Sequence, residues 1–232
     1  SVLNRLYPAG FRHYQQSLRV VDKLEMEGRG LNLTWEVRDG ILKHSKGMDD
    51  IFAKNPEKSP ATLEGQLVRL SDILAYVNHD LDDAIRAQLI RDTDIPQEIQ
   101  SSLGSTHSQR INTLVLDTIA GSEELGLQRI ALTQTGLNAV LILRQFLNDR
   151  VYKHVVPQKE LRKAEKILTD LFYFLVQNPQ GYLSDQTCQE ETVERAAVDF
   201  LAGMTDNFAL TLYRHLFVPQ EWRSGFEFTP LP

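Results

Sequence analysis

The stretch that most constrains this chain is residues 69–84, Arg-Leu-Ser-Asp-Ile-Leu-Ala-Tyr-Val-Asn-His-Asp-Leu-Asp-Asp-Ala. At about 100° per residue, a helix through it gathers Leu70, Ile73, Leu74, Val77 and Leu81 on one arc, and Asp72, Tyr76, His79, Asp80 and Asp83 on another. The apolar arc has to be buried against other elements. An acidic face is most often merely solvated. This one holds a Tyr and a His among its carboxylates, with no Lys or Arg on the same arc to form the usual ion pairs, so it is also the leading candidate for a site.

Flanking segments repeat the helical pattern. Residues 11–28 predict a helix with Leu18, Val20, Val21, Leu24 and Met26 as its apolar stripe, stopped by Gly28-Arg-Gly30. His13 and Gln16, three apart, project from one side of it. Thr34 is an N-cap candidate for a short helix over 35–44. Residues 45–60 read as a polar, Pro-containing loop, and the organising helix is expected to end near Leu89. Pro96 restarts a short helix. Thr106–Ile119 predicts another, with Ile111, Leu114, Val115 and Ile119 inward and Gly121 as its stop. Helices over 136–147 and 160–176 follow, then one or two more over 191–216, and the tail from Pro219 reads as irregular. Strand-like alternation with hairpin turns is scarce, and no period of about 20–50 residues recurs. The fold class is therefore all-α.

Composition narrows the function. A 232-residue chain with 42% hydrophobic content can bury one sizeable core. Net charge of −6 argues against a broad nucleic-acid or anionic-membrane surface, leaving room for a local basic pocket. Cys188 stands alone, which excludes an internal disulfide and fits a reducing cytoplasm. No apolar run reaches the roughly 18 residues that span a bilayer. Phosphate-binding Gly-rich loops, Gly-x-Ser-x-Gly and His-Glu-x-x-His are absent. His13, His44 and His79-Asp80 with a later Asp form a conceivable metal set, weakly supported by spacing. Arg110, Arg144, Lys153 and Lys163 are candidate phosphate contacts.

Several blocks together carry a resemblance. Residues 10–21 (Gly-Phe-Arg-His-Tyr-Gln-Gln-Ser-Leu-Arg-Val-Val), 30–34 (Gly-Leu-Asn-Leu-Thr), 40–45 (Gly-Ile-Leu-Lys-His-Ser), 63–84, 108–112 (Ser-Gln-Arg-Ile-Asn) and 202–206 (Ala-Gly-Met-Thr-Asp) stand in order. They resemble the bacterial dGTPase-like branch of the HD-domain phosphohydrolases, from about residue 3 to residue 222. The resemblance implies an HD-domain-like helical bundle lacking its N-terminal helices. Residues 1–130 would be the C-terminal part of the HD core, and 131–232 a helical extension packed on it.

The implied reaction converts a deoxynucleoside triphosphate and water to deoxynucleoside and triphosphate with a divalent metal, Mg, Mn, Fe or Ni. Asp72 matches a metal ligand; Tyr76 and Asp80 match contacts to the substrate sugar. His13 matches a histidine beside the phosphates that assists proton transfer, and Gln16 lies in the same motif. Tyr14 stands where the family usually has Asn or an acid. On this alignment His79-Asp80 sits on the substrate helix rather than at the metal.

The family's first His, its metal-binding His-Asp pair and a Gly-His-x-Gly-Glu segment lie upstream of the Gly-Phe-x-His motif, and only twelve residues precede His13. The expectation is an incomplete metal site and an inactive C-terminal portion of a longer, cytoplasmic enzyme. The family assembles as tetramers or hexamers, so a homo-oligomer is implied. The alternative reading is a non-catalytic nucleotide-binding or assembly module of HD-like fold.

Overall fold

The computed structural model describes residues 2–44, 56–183 and 191–219. Among them the regular elements are all helical, with no strand. The chain divides into two compact units, Arg12–Glu160 and Ser1–Phe11 with Leu161–Pro232.

The larger unit is built on the organising helix. Helices α1 (Val2–Leu6), α2 (His13–Arg19) and α3 (Trp35–Lys43) precede it. The helix itself, α4, spans Leu63–Arg86, and the Thr62 hydroxyl caps it by accepting from the Gly65 N–H at 3.1 Å. Its apolar arc is buried as the periodicity requires: Leu70, Ile73, Leu74, Val77, Leu81 and Ala84 all face the core. Three later helices, α5 (Gln97–Leu103), α6 (His107–Glu124) and α7 (Gln134–Leu147), supply the rest, including Ile99, Leu114, Val140, Leu143 and Leu147. Each such side chain contributes roughly 1.5–3 kcal/mol relative to exposure, so this stripe carries much of the unit's stability. On α4 also rests α3, and α2 packs on α3. That chain of contacts brings the starts of α2 and the end of α3 to the polar side of the organising helix.

Four elements differ from expectation. The helix expected over 11–28 ends as α at Arg19 and widens into a π turn over Val20–Leu24. The backbone then turns left-handed at Met26 (φ 55°) and Glu27 (φ 59°). Met26 is consequently 54% exposed instead of completing an apolar stripe. The cause lies at Gly30, where φ is 69° and a Cβ would stand 2.1 Å from the Asp22 carbonyl oxygen. The chain doubles back so tightly there that Leu31 N–H reaches the Val21 carbonyl at 2.6 Å.

Helix α6 runs through Gly121 to Glu124, and its inward face keeps the expected Leu114 and, in part, Ile111, but not Val115 or Ile119. Arg110, Leu114, Thr118 and Ser122 are buried, whereas Val115 and Ile119 are about half exposed at 52% and 51%. Gly121 decides this. A Cβ there would lie 2.4 Å from the Leu132 carbonyl carbon, so the helix and the 131–133 segment cross backbone to backbone. Beside it, the Ser122 hydroxyl donates to the Thr118 carbonyl and accepts from Ala131 N–H. Small residues and satisfied backbone outweighed the greasier stripe.

Helix α4 stops at Arg86, short of Leu89, because Ala87 leaves helical geometry and Gln88 takes φ 56°. Helix α8, Val155–Gln177, begins before the expected residue 160, since Pro157 falls in the first turn where its missing N–H costs nothing. Residues 45–55 of the expected loop and 220–232 of the expected tail lie outside the described residues.

The smaller unit comprises α1, the part of α8 from Leu161, α9 (Val193–Ala202) and α10 (Asp206–Phe217). Thr192 and Thr205 cap the last two helices. Leu3, Leu171, Phe172, Leu175, Ala197 and Leu212 form its core.

Candidate functional site

The polar arc of α4 is divided between two neighbourhoods. Asp72 is half-buried and acts electrostatically on His13, at the first turn of α2. The His13 ring centroid lies 5.6 Å from that of His44, with the planes 71° apart. Tyr14 stands edge-on at the same 5.6 Å. Partial burial holds His13 below the ordinary histidine range, the neighbouring His44 pushes the same way, and the Asp72 carboxylate opposes both. The imidazole is therefore neutral at pH 7 and fit to accept a proton. One turn on, Gln16 is buried, with 7% exposure.

Eight residues along α4 from Asp72, about 12 Å of helix rise, Asp80 accepts a hydrogen bond from the Tyr152 hydroxyl. Tyr152 closes a π turn, Asn148–Tyr152, that continues α7. Its phenol is driven well above its usual range, first by burial and then by the bond to Asp80, with Arg144 opposing. It thus remains a donor at any physiological pH. Tyr76 lies between the two neighbourhoods and is 62% exposed. All of these groups belong to the larger unit.

The remaining sequence candidates fall elsewhere. His79 does not join His13 and His44: its ring stacks on His107 at 5.5 Å and 18°. Asp82 lies beside that pair, 3.9 Å from His107 Nε2. Arg110 is not a phosphate contact. Its guanidinium is only 2% exposed and donates to Asp82 Oδ1 at 2.7 Å, Asn78 Oδ1 at 3.1 Å and the Ser105 carbonyl. Lys153 pairs with Asp149 at 2.8 Å, while Lys163 lies on α8 in the smaller unit. Arg144 acts electrostatically on Tyr152 and so lies near the site.

A catalytic transition metal needs three or more protein ligands. Among the described residues no group of three or more His, Cys, Asp or Glu is placed to hold one. The His13, His44, His79-Asp80 set is accordingly not assembled, and Asp72 stands as a single carboxylate. These residues do not complete a metal centre.

Tyr152 and the closeness of His44 to His13 escaped the sequence. A phenol seventy-two residues from Asp80 has no periodic link to it, and the π turn that aims it leaves no mark in the pattern.

An all-helical core with a polar arc on its central helix is compatible with an HD phosphohydrolase, and comparison with known proteins points to that family. Residues 130–215 match a phosphohydrolase-associated domain. A deoxyguanosinetriphosphate triphosphohydrolase-like protein of Caldanaerobacter subterraneus is 41% identical over 223 residues, covering 95% of this chain and 62% of that protein. One from Clostridium perfringens is 40% identical, covering 94% and 64%. One from Geobacter sulfurreducens is 32% identical over 265 residues, covering 95% and 68%. The chain belongs to this dGTPase-like family. It spans 62–65% of the length of the more similar relatives.

Proposed function

We propose that this chain carries the nucleotide-binding portion of a deoxynucleoside triphosphate triphosphohydrolase. The observation that carries the reading is the pairing, on one face of α4, of a histidine–carboxylate group at Asp72 with a tyrosine–carboxylate group at Asp80, about 12 Å apart. That spacing suits a nucleotide with its phosphates at one end and its sugar at the other. Asp80, held by Tyr152, takes a sugar hydroxyl, and the exposed Tyr76 ring covers the sugar. His13 and Gln16 meet the phosphates.

In the reaction, water oxygen bonds to the α-phosphorus, the bond from that phosphorus to the 5′ oxygen breaks, and the water's proton finally resides on the released deoxynucleoside. Neutral His13 takes up the proton transiently. In the family a divalent metal, Mg, Mn, Fe or Ni, supplies activation of the water. Asp72 is proposed as one of its ligands, and the described residues do not complete that site. For the same reason the chain alone is proposed to bind nucleotide without turning it over. A non-catalytic, nucleotide-binding module is the second reading, favoured by that same incomplete ligand set.

The match at 130–215 supports a 1–130 portion of the HD core followed by a 131–232 extension, whereas the compact units divide at Glu160, so residues 131–160 belong to the larger unit. The family resemblance implies a homo-oligomer, tetramer or hexamer, and the half-exposed Val115, Leu116 and Ile119 on α6 are available to such contacts. A nucleotide substrate and the lone Cys188 support a cytoplasmic location. No described helix is long and apolar enough to cross a membrane, and nucleic acid would be at most a secondary partner.

The decisive experiment incubates a protein containing this chain and a complete ligand set with each of the four dNTPs, then separates nucleoside and triphosphate by chromatography. Triphosphate release supports the hydrolase. Tight dNTP binding without release selects the second reading, and neither result removes both.

A further inference from the structure

His44 takes no part in the roles above, yet it is the most firmly tethered group near His13. It follows the last residue of α3. Its Nδ1 lies within hydrogen-bond distance of the Ile41 carbonyl. A carbonyl only accepts, so Nδ1 bears the hydrogen and Nε2 is the free nitrogen of the neutral ring. The backbone just before it is also tied down. Arg69, three residues before Asp72 on α4, donates to the carbonyls of Lys43 and Lys58, each at 3.0 Å. Lys43 further pairs with Asp39 at 2.7 Å, and Asp39 accepts from Ala61 N–H at 2.8 Å. Ring, backbone and neighbouring side chain are each fixed.

His13 is held differently. It sits at the exposed first turn of a short helix whose N-cap, Arg12, makes no side-chain cap bond. Its ring meets two others: Tyr14, its neighbour in sequence, which moves with it, and His44, from another helix. Rotation about the last torsion of histidine is soft and two-fold. Among the described ring contacts, the edge-on approach of His44 is the one that ties that rotation to the rest of the unit.

We propose that His44 is a positioning residue of this site: anchored by Ile41 and Arg69, it sets the orientation of the His13 imidazole and acts on the phosphates only through it. This rests on the function proposed above for His13, although the packing relationship can be read without any nucleotide.

The test is nitrogen NMR of ring-labelled histidines in this chain at pH 8, where neutral rings report their tautomer. His44 is expected as the Nδ1–H form and His13 as one dominant tautomer. His44→Asn retains an N–H for the Ile41 carbonyl but removes the ring wall; His13 should become a mixture of tautomers while the thermal midpoint holds. His44→Phe restores a ring edge without nitrogens and should return His13 most of the way. An unchanged His13 in His44→Asn overturns the proposal, as does failure of Phe to restore it.

With dGTP added, His13 signals should move in the unsubstituted chain, and the Kd of His44→Asn should stay within about threefold. A loss of affinity of tenfold or more means His44 touches the nucleotide itself and also overturns a purely positioning role. If dGTP moves no histidine even in the unsubstituted chain, it is the nucleotide reading of His13 that fails, and the ligand-free comparison still decides the role of His44.

Discussion

Tyr152 donates its phenolic hydrogen to Asp80 across seventy-two residues, joining the π turn at the end of α7 to the C-terminal half of α4. The carboxylate that faces outward on the organising helix is thereby given a fixed direction. The pairing is testable because the phenol's acidity differs between folded and unfolded chain.

Burial and Asp80 raise the Tyr152 pKa above its ordinary value near 10. A group whose folded pKa is raised contributes stability that is fully present below the unfolded pKa and is lost as pH rises through the folded value. Unfolding free energy should therefore decline above pH 10. Tyr152→Phe should be less stable at pH 7 by about 1 kcal/mol and decline less steeply between pH 10 and 12. Tyr213, also raised by its bond to Asp170, is common to both proteins and cancels in the comparison. Urea titrations across that range check it, and equal slopes would remove the Tyr152 contribution.

Asp72 raises the His13 pKa against burial and His44. Asp72→Asn should consequently lower it further, seen as a shift of the His13 titration to more acidic pH in a proton NMR series. Because the folded-state value lies below the unfolded one, the His13 contribution to stability is lost as pH falls below about 6.5, where the unfolded chain takes up the proton first. In a hydrolytically competent protein, Asp72→Ala should abolish turnover while leaving the helical signal intact.

Gly136 lies under the Asp117 carboxylate. That carboxylate accepts from Thr133 N–H at 3.0 Å and from the Thr133 hydroxyl at 2.6 Å, where it secures the start of α7. A Cβ at 136 would stand 2.0 Å from Asp117 Oδ1. Gly136→Ala gains helix propensity but must displace this cap, and should lose about 2 kcal/mol, or roughly 5 °C in Tm. Calorimetry gives the sign directly.

Arg110 joins α6 to α4 through Asp82 and Asn78. Arg110→Leu leaves Asn78 without its buried donor and Asp82 without its cation. The cost should be roughly 2 kcal/mol, below a fully buried pair, since the Asp82 side chain is 27% exposed. Affinity for dNTP should change less than threefold. A large loss of binding at unchanged stability would restore Arg110 as a phosphate contact.

The apolar arc of α4 was legible because a single helix decides it: spacing of 3.6 residues per turn places Leu70, Ile73, Leu74, Val77 and Leu81 together whatever surrounds them. The short helix after Pro96 was local in the same sense, whereas Thr34, the N-cap candidate, precedes α3 without a side-chain cap bond, and the caps at Thr62 and Thr106 came from the structure. For α6 the same periodicity misled. Ile111, Val115 and Ile119 are an acceptable inward stripe until Gly121 meets the 131–133 backbone and Arg110 meets Asp82, and neither encounter has a signature within eighteen residues of helix.

Local periodicity and the ordered motifs thus determined that this chain is helical, which face of α4 is buried, and which family it resembles. Tertiary structure alone decided that Asp72 neighbours His13 and His44, that Asp80 receives the Tyr152 phenol, and that His79 turns aside to His107. The reason is the range of the forces involved. Helix formation and amphipathicity act over a few residues, whereas the direction of a side chain across a helix–helix contact depends on backbone approach, π turns and buried polar pairs formed by segments far apart in the chain.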